Sequence, residues 1–329
     1  MPTSNQIDTA MKNISKFFVA DEILNGQCVL NKKGNPYCRP GGLCRVYKFQ
    51  LADGTTKALR IWENVISEAK ERSVAISDFL RNHPSQYFVN FECIENALVI
   101  DGEYYPVVLM DWCDGKDMKK YISQCIIDED YDKIRELAHS FYLMTKELSN
   151  MGISHGDLHH ENILVLQDGS LKLIDYDSMY VPALKGYKDE CVGYEGYQHP
   201  TARIQNEYLQ PYTDYFSELV IFMTVYLVSY HPELWDVDKV EDYDKALLFR
   251  ISELDPRTVN QYKDWDILGL PLLIEFYKYF LKKTDLKDLK SLQHIIELTN
   301  IYKSEQQQVV VKQVPPVKGV DISSIINKW

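Results

Sequence analysis

The feature that most constrains this chain is a change of hydrophobic period close to Asp111–Gly115. Before it, the short runs "CRVYKFQL", "TKALRIW", "ALVIDG" and "YYPVVLM" are rich in β-branched and aromatic residues and are bounded by the turn sequences "ADGTT" and "DGE", which predicts hairpin strands. One segment among them, "SEAKERSVAISDFLRNH", has helical spacing. After the change, "MKKYISQCI", "YDKIRELAHSFYLMTKELSNMG" and most segments beyond Asp214 have the period and length of helices. The expectation is an α+β chain with a small antiparallel-sheet part carrying one main helix, followed by a larger, mostly helical part. Ser4 to Leu24 reads as a helical leader. The stretch "SEQQQVVVKQVPPVKGVDISSIINKW" reads as an extended tail, docked at its end through Ile325, Ile326 and Trp329. The expected organisation is therefore a leader over 1–24, a sheet-rich part over 25–112, a helix-rich part over 113–303 and a tail over 304–329.

Charge and cysteine usage narrow the function classes. Lys and Arg number 36 against 48 Asp and Glu, a net charge of −12, which disfavours non-specific attraction to nucleic acid or anionic lipid. The seven cysteines are scattered and form no C-x-x-C pair, as reduced thiols in a cytosol would. The first residues lack the basic head and apolar run of a signal peptide. The apolar run Leu219 to Tyr230 is shorter than the roughly 20 residues that cross a bilayer, so it reads as a buried core helix and the protein as cytoplasmic, with no membrane partner.

Within "SHGDLHHENILVLQDGSLKLIDYDS", residues 154–178, Asp157 and Asn162 lie on a loop, and Asp175 follows the two β-like runs "NILVL" and "LKLID". A hairpin there brings its ends together. One carboxylate could then act as a base, while an Asn–Asp pair supplies the hard oxygen ligands that suit Mg²⁺. The bland alternative is that the three polar residues cap turns.

The motif "HGDLHHEN…LIDYD" resembles the catalytic loop and metal-binding motif of the protein kinase superfamily. On that resemblance His155-Gly156-Asp157 stands at H-R-D, Asn162 at the catalytic-loop Asn, and Asp175-Tyr176-Asp177 at D-F-G. "MDWCDGKDMKKYI" is similar to a kinase hinge. Met110 would be the gatekeeper, Asp111 to Cys113 would face adenine, and Asp117 would reach ribose; Val46 and Ala58 would pack on the nucleotide. Asp214 in "TDYFSEL" matches the start of the central buried helix, and "GYQHP", ending at Pro200, matches the close of the activation segment. "LIDYDSMYVPALKG" and "GYQHP" look more specifically like a bacterial branch of eukaryotic-like Ser/Thr kinases. The resemblance covers roughly residues 22–235. It implies a bilobal kinase-like fold, ATP and Mg²⁺ (or Mn²⁺) as cofactors, and a protein substrate.

The departures are specific. "RPGGLCRV" stands in for the glycine loop, with Gly41 on a glycine position, Gly42 extra, and Arg39 and Cys44 replacing the others; an ordinary hairpin turn is the alternative. Arg60 stands at the kinase lysine, where it can grip phosphate through a planar fork. Lys57 is three residues off and points to the other strand face. The helix acid orienting Arg60 would be Glu68 or Glu71, and Glu71 is favoured because it leads into an apolar face; a solvated charge is the alternative. Gly156 replaces the Arg that reads out activating phosphorylation. His159, at the lysine position that contacts the γ-phosphate, would donate to the phosphoryl group, whereas His160 packs or faces solvent. Asp177 either completes a metal shell or caps the turn through Ser178 and Met179. Tyr180, Tyr187, Tyr194 and Tyr197 read as a packed aromatic segment or as autophosphorylation sites.

The function expected from these residues is ATP- and Mg²⁺-dependent phosphoryl transfer to a hydroxyl, on Ser or Thr of a protein. The catalytic set would be Asp157, His159 and Asn162; the nucleotide set Gly41, Gly42, Val46, Ala58, Arg60, Glu71, Met110, Asp111, Cys113 and Asp117; and the metal set Asn162, Asp175 and Asp177. The rivals are a pseudokinase acting as a switch or scaffold, and a small-molecule kinase, which "HGDLH" and Asp177 also fit.

Overall fold

The computed structural model describes residues 2–40, 44–63, 68–190, 193, 196–235, 237 and 260–302. Gly41 and Gly42, the segment "DYDKALLFRISEL" and the expected tail lie outside the described residues. Contacts divide the chain into two compact units, one of Met1–Tyr121, Gly152–Val192 and Glu207–Pro211, the other of Ile122–Met151, Gly193–Asn206 and Tyr212–Trp329.

In the first unit the leader is three short helices, α1 (Ser4–Lys12), α2 (Ile14–Phe17) and α3 (Asp21–Leu24). Thr3 and Gln6 cap α1 reciprocally, satisfying two of its otherwise orphaned N–H groups. The leader is part of a core. Its Ile7, Ala10, Met11, Phe18 and Ile23 share one buried cluster with Tyr47, Phe49, Leu59, Ile61, Leu98, Val107 and Leu109 of the adjoining sheet. Tyr47 donates to Asp8 Oδ1 at 2.6 Å and Arg45 pairs with the same carboxylate at 3.2 Å, which fixes α1 on the strand that carries them.

That sheet contains β1 (Gln27–Cys28), β2 (Cys38–Pro40), β3 (Cys44–Gln50), β4 (Thr56–Trp62), β5 (Phe91–Ile100) and β6 (Glu103–Asp111), in the order β1-β3-β4-β6-β5 with β2 also on β3. All pairs are antiparallel. Asp101 (φ 53°) and Gly102 (φ 84°) turn β5 into β6, the pair of positive φ angles that matches strand twist in a two-residue hairpin. Helix α4 (Ala69–Asn82) buries Ala69, Arg72, Ser73, Ile76, Ser77 and Leu80, and packs against β5. A second antiparallel sheet follows, of β7 (Lys116–Asp117), β8 (Ile163–Val165) and β9 (Leu171–Leu173). Leu173 N–H donates to the Tyr87 carbonyl at 2.7 Å and so anchors β9 to the segment entering β5.

Helix α5 (Met118–Ile127) leads into the second unit, which holds α6 (Tyr131–Met151), α7 (Tyr215–Tyr230), α8 (Leu270–Leu281) and α9 (Leu292–Thr299). Every residue of α7 from Phe216 to Ser229 is buried, as a helix apolar on all sides must be. Among the described residues no helix is long and apolar enough to cross a membrane.

Candidate active site

The β8–β9 hairpin does what its sequence predicts. Pairing of Ile163 with Leu173 brings Asn162 beside Ile174, whose N–H donates to the Asn162 carbonyl at 3.0 Å. Two side chains lock the preceding loop to this register: His155, fully buried, donates Nε2–H to the Ile174 carbonyl at 2.9 Å, and Asn162 Nδ2 donates to the Asp157 carbonyl at 2.9 Å. With Nδ2 so engaged, Asn162 Oδ1 is the atom left to act as a ligand.

Gly156 between them has φ +83°, and a Cβ there would meet the Ser178 carbonyl carbon at 2.7 Å and its Cβ at 2.8 Å. The glycine that replaces an arginine is thus a steric requirement of the loop crossing over residue 178.

The Asp157 carboxylate is three-quarters buried, and its Oδ2 lies 3.6 Å from His159 Nε2. His159 Nδ1 accepts the Glu161 N–H at 3.3 Å, so the neutral ring carries its proton on Nε2, facing Asp157. His160 is buried too; burial, with His159 and Lys119 nearby, pushes it down to about 3 and keeps it neutral.

Arg60 is 2% exposed. Its place opposite Val46 on β3 and Val108 on β6 aims it at the residues following β9. Its Nη2 lies 3.4 Å from Asp175 Oδ1 and pairs with Asp177 Oδ2, while Nε donates to Cys44 Sγ at 2.9 Å and the guanidinium lies over the Trp62 ring at 5.5 Å. Burial pushes the Cys44 thiol up, opposed in part by Arg60, so the sulfur is a neutral acceptor. Asp175 takes φ +66°, a strained setting for a non-glycine residue, and keeps half of its side chain exposed. Tyr176 is buried between two backbone groups, accepting from Val89 N–H at 3.0 Å and donating to the Leu173 carbonyl at 2.7 Å.

Arg60, Asn162 and Asp175 share one cavity with Arg39, Cys44, Val46, Ala58, Met110, Asp111, Trp112, Cys113, Leu164 and Ile174. The enclosed part of this cavity is about 160 Å³, and it opens to solvent. Trp112 at the rim is flanked by two cations, Arg39 at 5.5 Å and Lys48 at 4.6 Å from its ring centroid. No group of three or more His, Cys, Asp or Glu among the described residues forms a metal cage. Asn162 and Asp175 are instead a two-residue oxygen set, of the kind that suits Mg²⁺ when phosphates and water fill the rest of its shell.

The protein kinase domain family matches residues 90–284, more than half of the chain. This chain belongs to the protein kinase family. Its sheet-rich N-lobe and helix-rich C-lobe are those of the kinase fold. Among known proteins it is 25% identical over 189 residues to a serine/threonine-protein kinase of Schizosaccharomyces pombe described as mitochondrial, covering 53% of this chain and 40% of that protein. It is also 31% identical over 99 residues to an uncharacterized protein of Dictyostelium discoideum, covering 30% of this chain and 10% of the other. The chain therefore spans less than half the length of these curated relatives.

Against the kinase pattern, Val46, Ala58, Arg60, Met110, Asp111 and Cys113 line the cavity, and Asp157 and His159 adjoin its Asn162 wall. Asp117 does not line it; its Oδ1 caps α5 by accepting Lys120 N–H at 2.9 Å, and Oδ2 pairs with Lys120 Nζ at 2.8 Å. Glu71 is not brought to Arg60. It is exposed on α4, whose buried face carries Arg72 instead, and Glu68, at the N-cap just before the helix, is exposed too. Asp177, expected at the metal, directs Oδ2 to Arg60. Lys57 points away as expected and pairs with Asp111 at 2.6 Å. Tyr180 and Tyr197 are buried and Tyr187 lies under Arg72, whose guanidinium is 5.6 Å from its ring; Tyr194 lies outside the described residues. Leu164 and Ile174, missed as site residues, are apolar members of the runs that flank the hairpin, where alternation could have marked them.

Proposed function

We propose that this chain transfers the γ-phosphoryl group of ATP to a hydroxyl, on Ser or Thr of a protein, with Mg²⁺ or Mn²⁺. The observation that carries this reading is the meeting, on one cavity, of a buried guanidinium (Arg60) with the Asn162–Asp175 oxygen pair, beside the Asp157 carboxylate. The apolar wall of Ala58, Met110, Leu164 and Ile174 supports a purine, with the Trp112 rim above it. Asn162 Oδ1 and Asp175 would hold the metal, which when bound neutralises phosphate charge. Arg60 adds a fixed cation. The Asp157 carboxylate accepts the proton of the acceptor hydroxyl as its oxygen attacks, and His159 presents Nε2–H to the same region.

Lobes spanning 25–112 and 113–303 are part of this reading. "LIDYDSMYVPALKG" and "GYQHP" support a bacterial branch of the family. The described cysteines, all free thiols, are consistent with a reducing cytoplasm. The acidic balance supports a protein acceptor over nucleic acid or a membrane surface.

The test is transfer from labelled ATP with Mg²⁺ or Mn²⁺, to the protein itself and to a generic protein acceptor. Wild type should label; Asp157→Ala and Asp175→Ala should each lose at least about 100-fold while melting as folded proteins. Undiminished label in Asp175→Ala would refute the assignment. ATP binding without transfer would instead favour a nucleotide-binding switch, and transfer confined to small alcohols a small-molecule kinase.

A further inference from the structure

We propose that Asp177 is the positioning residue for Arg60, so that the acid partner of the phosphate-facing cation comes from the turn after Asp175 and not from helix α4. The inference rests on the phosphoryl-transfer reading above and concerns how its cation is held.

Three observations carry it. A guanidinium with 2% exposure must be paired, and two carboxylates, Asp175 and Asp177, converge on its Nη2. The two are not equivalent. Asp175 is half exposed and forms part of the cavity wall, available to a ligand, whereas the Asp177 side chain is 13% exposed and is not part of that wall. Asp177 is also rigidly set: Met179 N–H closes a turn onto the Tyr176 carbonyl at 3.0 Å, Tyr176 is fixed by two buried hydrogen bonds, and Ser178 is pressed against Gly156.

Helix α4 offers no substitute. Glu68 and Glu71 face solvent, and the charged residue on its buried face is Arg72, whose Nη2 donates to the Lys188 carbonyl at 2.5 Å. Lys188 bridges to Tyr208, and the Leu209 N–H donates to the Tyr187 carbonyl at 2.9 Å. The helix thus grips the segment that follows Asp177, while that segment supplies the acid. Cys44 Sγ accepts from Nε of Arg60 and the Trp62 ring lies against its guanidinium.

The experiment is a double-mutant cycle on the full chain with Arg60→Gln, Asp177→Asn and the pair, together with Asp177→Glu and the control Glu71→Gln. Three quantities are read: affinity for metal-free ADP by calorimetry in EDTA, the Mg²⁺ concentration for half-maximal transfer, and kcat/KM for ATP. Asp177→Asn should lower ADP affinity and reduce kcat/KM by about 100-fold, as a misplaced group does, with the Mg²⁺ requirement unchanged. Its effect should vanish in the Arg60→Gln background, Asp177→Glu should recover most of the loss, and Glu71→Gln should behave as wild type. A raised Mg²⁺ requirement with unchanged metal-free ADP affinity would make Asp177 a metal ligand and overturn the proposal. Additive losses with Arg60→Gln would overturn it too; should Arg60→Gln not fold, equal activity of Asp177→Asn and Asp177→Glu does the same. Failure of wild type to bind any nucleotide would instead bring down the phosphoryl-transfer reading itself.

Discussion

Replacing Gly156 by alanine tests whether the loop from His155 to Asn162 is built by close backbone contact. The added Cβ would meet two Ser178 carbon atoms at 2.7 and 2.8 Å, about 1 Å inside ordinary van der Waals contact, at a backbone angle of φ +83°. Placing an L-side chain in the left-handed region costs roughly 1–2 kcal/mol, and forcing packed atoms apart by this amount roughly 1–3 kcal/mol. Neither partner can yield cheaply. His155 and Asn162 hold the loop on one side, and on the other Ser178 is buried and Met179 is bonded to Tyr176. The sum, about 2–5 kcal/mol, corresponds to a fall in melting temperature on the order of 10 °C for a cooperative unit of this size. Thermal unfolding followed by circular dichroism measures it, and calorimetry with ADP reports whether the displaced loop also weakens the proposed nucleotide binding. Gly156→Arg, which would restore the kinase-like arginine, should be at least as damaging. An alanine variant melting within about 1 °C of wild type would refute the reasoning, because the crossing would then have room to relax.

Tyr176→Phe should cost about 1–3 kcal/mol, because the buried Val89 N–H and Leu173 carbonyl both lose their hydroxyl partner; urea unfolding measures it, and an unchanged midpoint would show that the hydroxyl bridge is dispensable. Glu218 on α7 accepts the Leu292 N–H at 3.0 Å, and burial, with the nearby Asp214 charge, pushes its carboxyl up to about 8 from an ordinary 4.5. Below about 4.5 folded and unfolded forms are both protonated and the stabilising effect of the neutral acid is complete; it is lost as pH rises through about 8. The wild-type melting temperature should therefore fall between pH 5 and pH 8.5 more steeply than that of Glu218→Gln, which keeps the acceptor without the charge, and parallel pH profiles would refute the assignment.

Much of the site was legible because it is local. The hairpin "NILVLQDGSLKLID" carries its own turn and alternation, so Asn162 and Asp175 had to approach each other wherever the chain placed them. Met110 was singled out by the resemblance to kinases alone; in the fold it lies on β6 opposite Ala58 and Phe91 and lines the cavity. The helix acid was not legible. Spacing places Glu71 and Arg72 next to each other on α4, about 100° apart around its axis, and cannot say which of them turns inward. The leader also read as a separate helical piece, although Ile7, Ala10 and Met11 complete the core of the sheet.

The sequence by itself determined the elements, their order, and the loop that carries Asp157, Asn162 and Asp175, because helix period, strand alternation and hairpin turns act over a few residues. Tertiary structure alone decided the pairing of Arg60 with Asp177 across more than a hundred residues, the burial of Arg72 against the Lys188 carbonyl, and the need for glycine at position 156 under Ser178. Those outcomes depend on which buried charge finds a partner and which backbones touch, and long-range packing sets both.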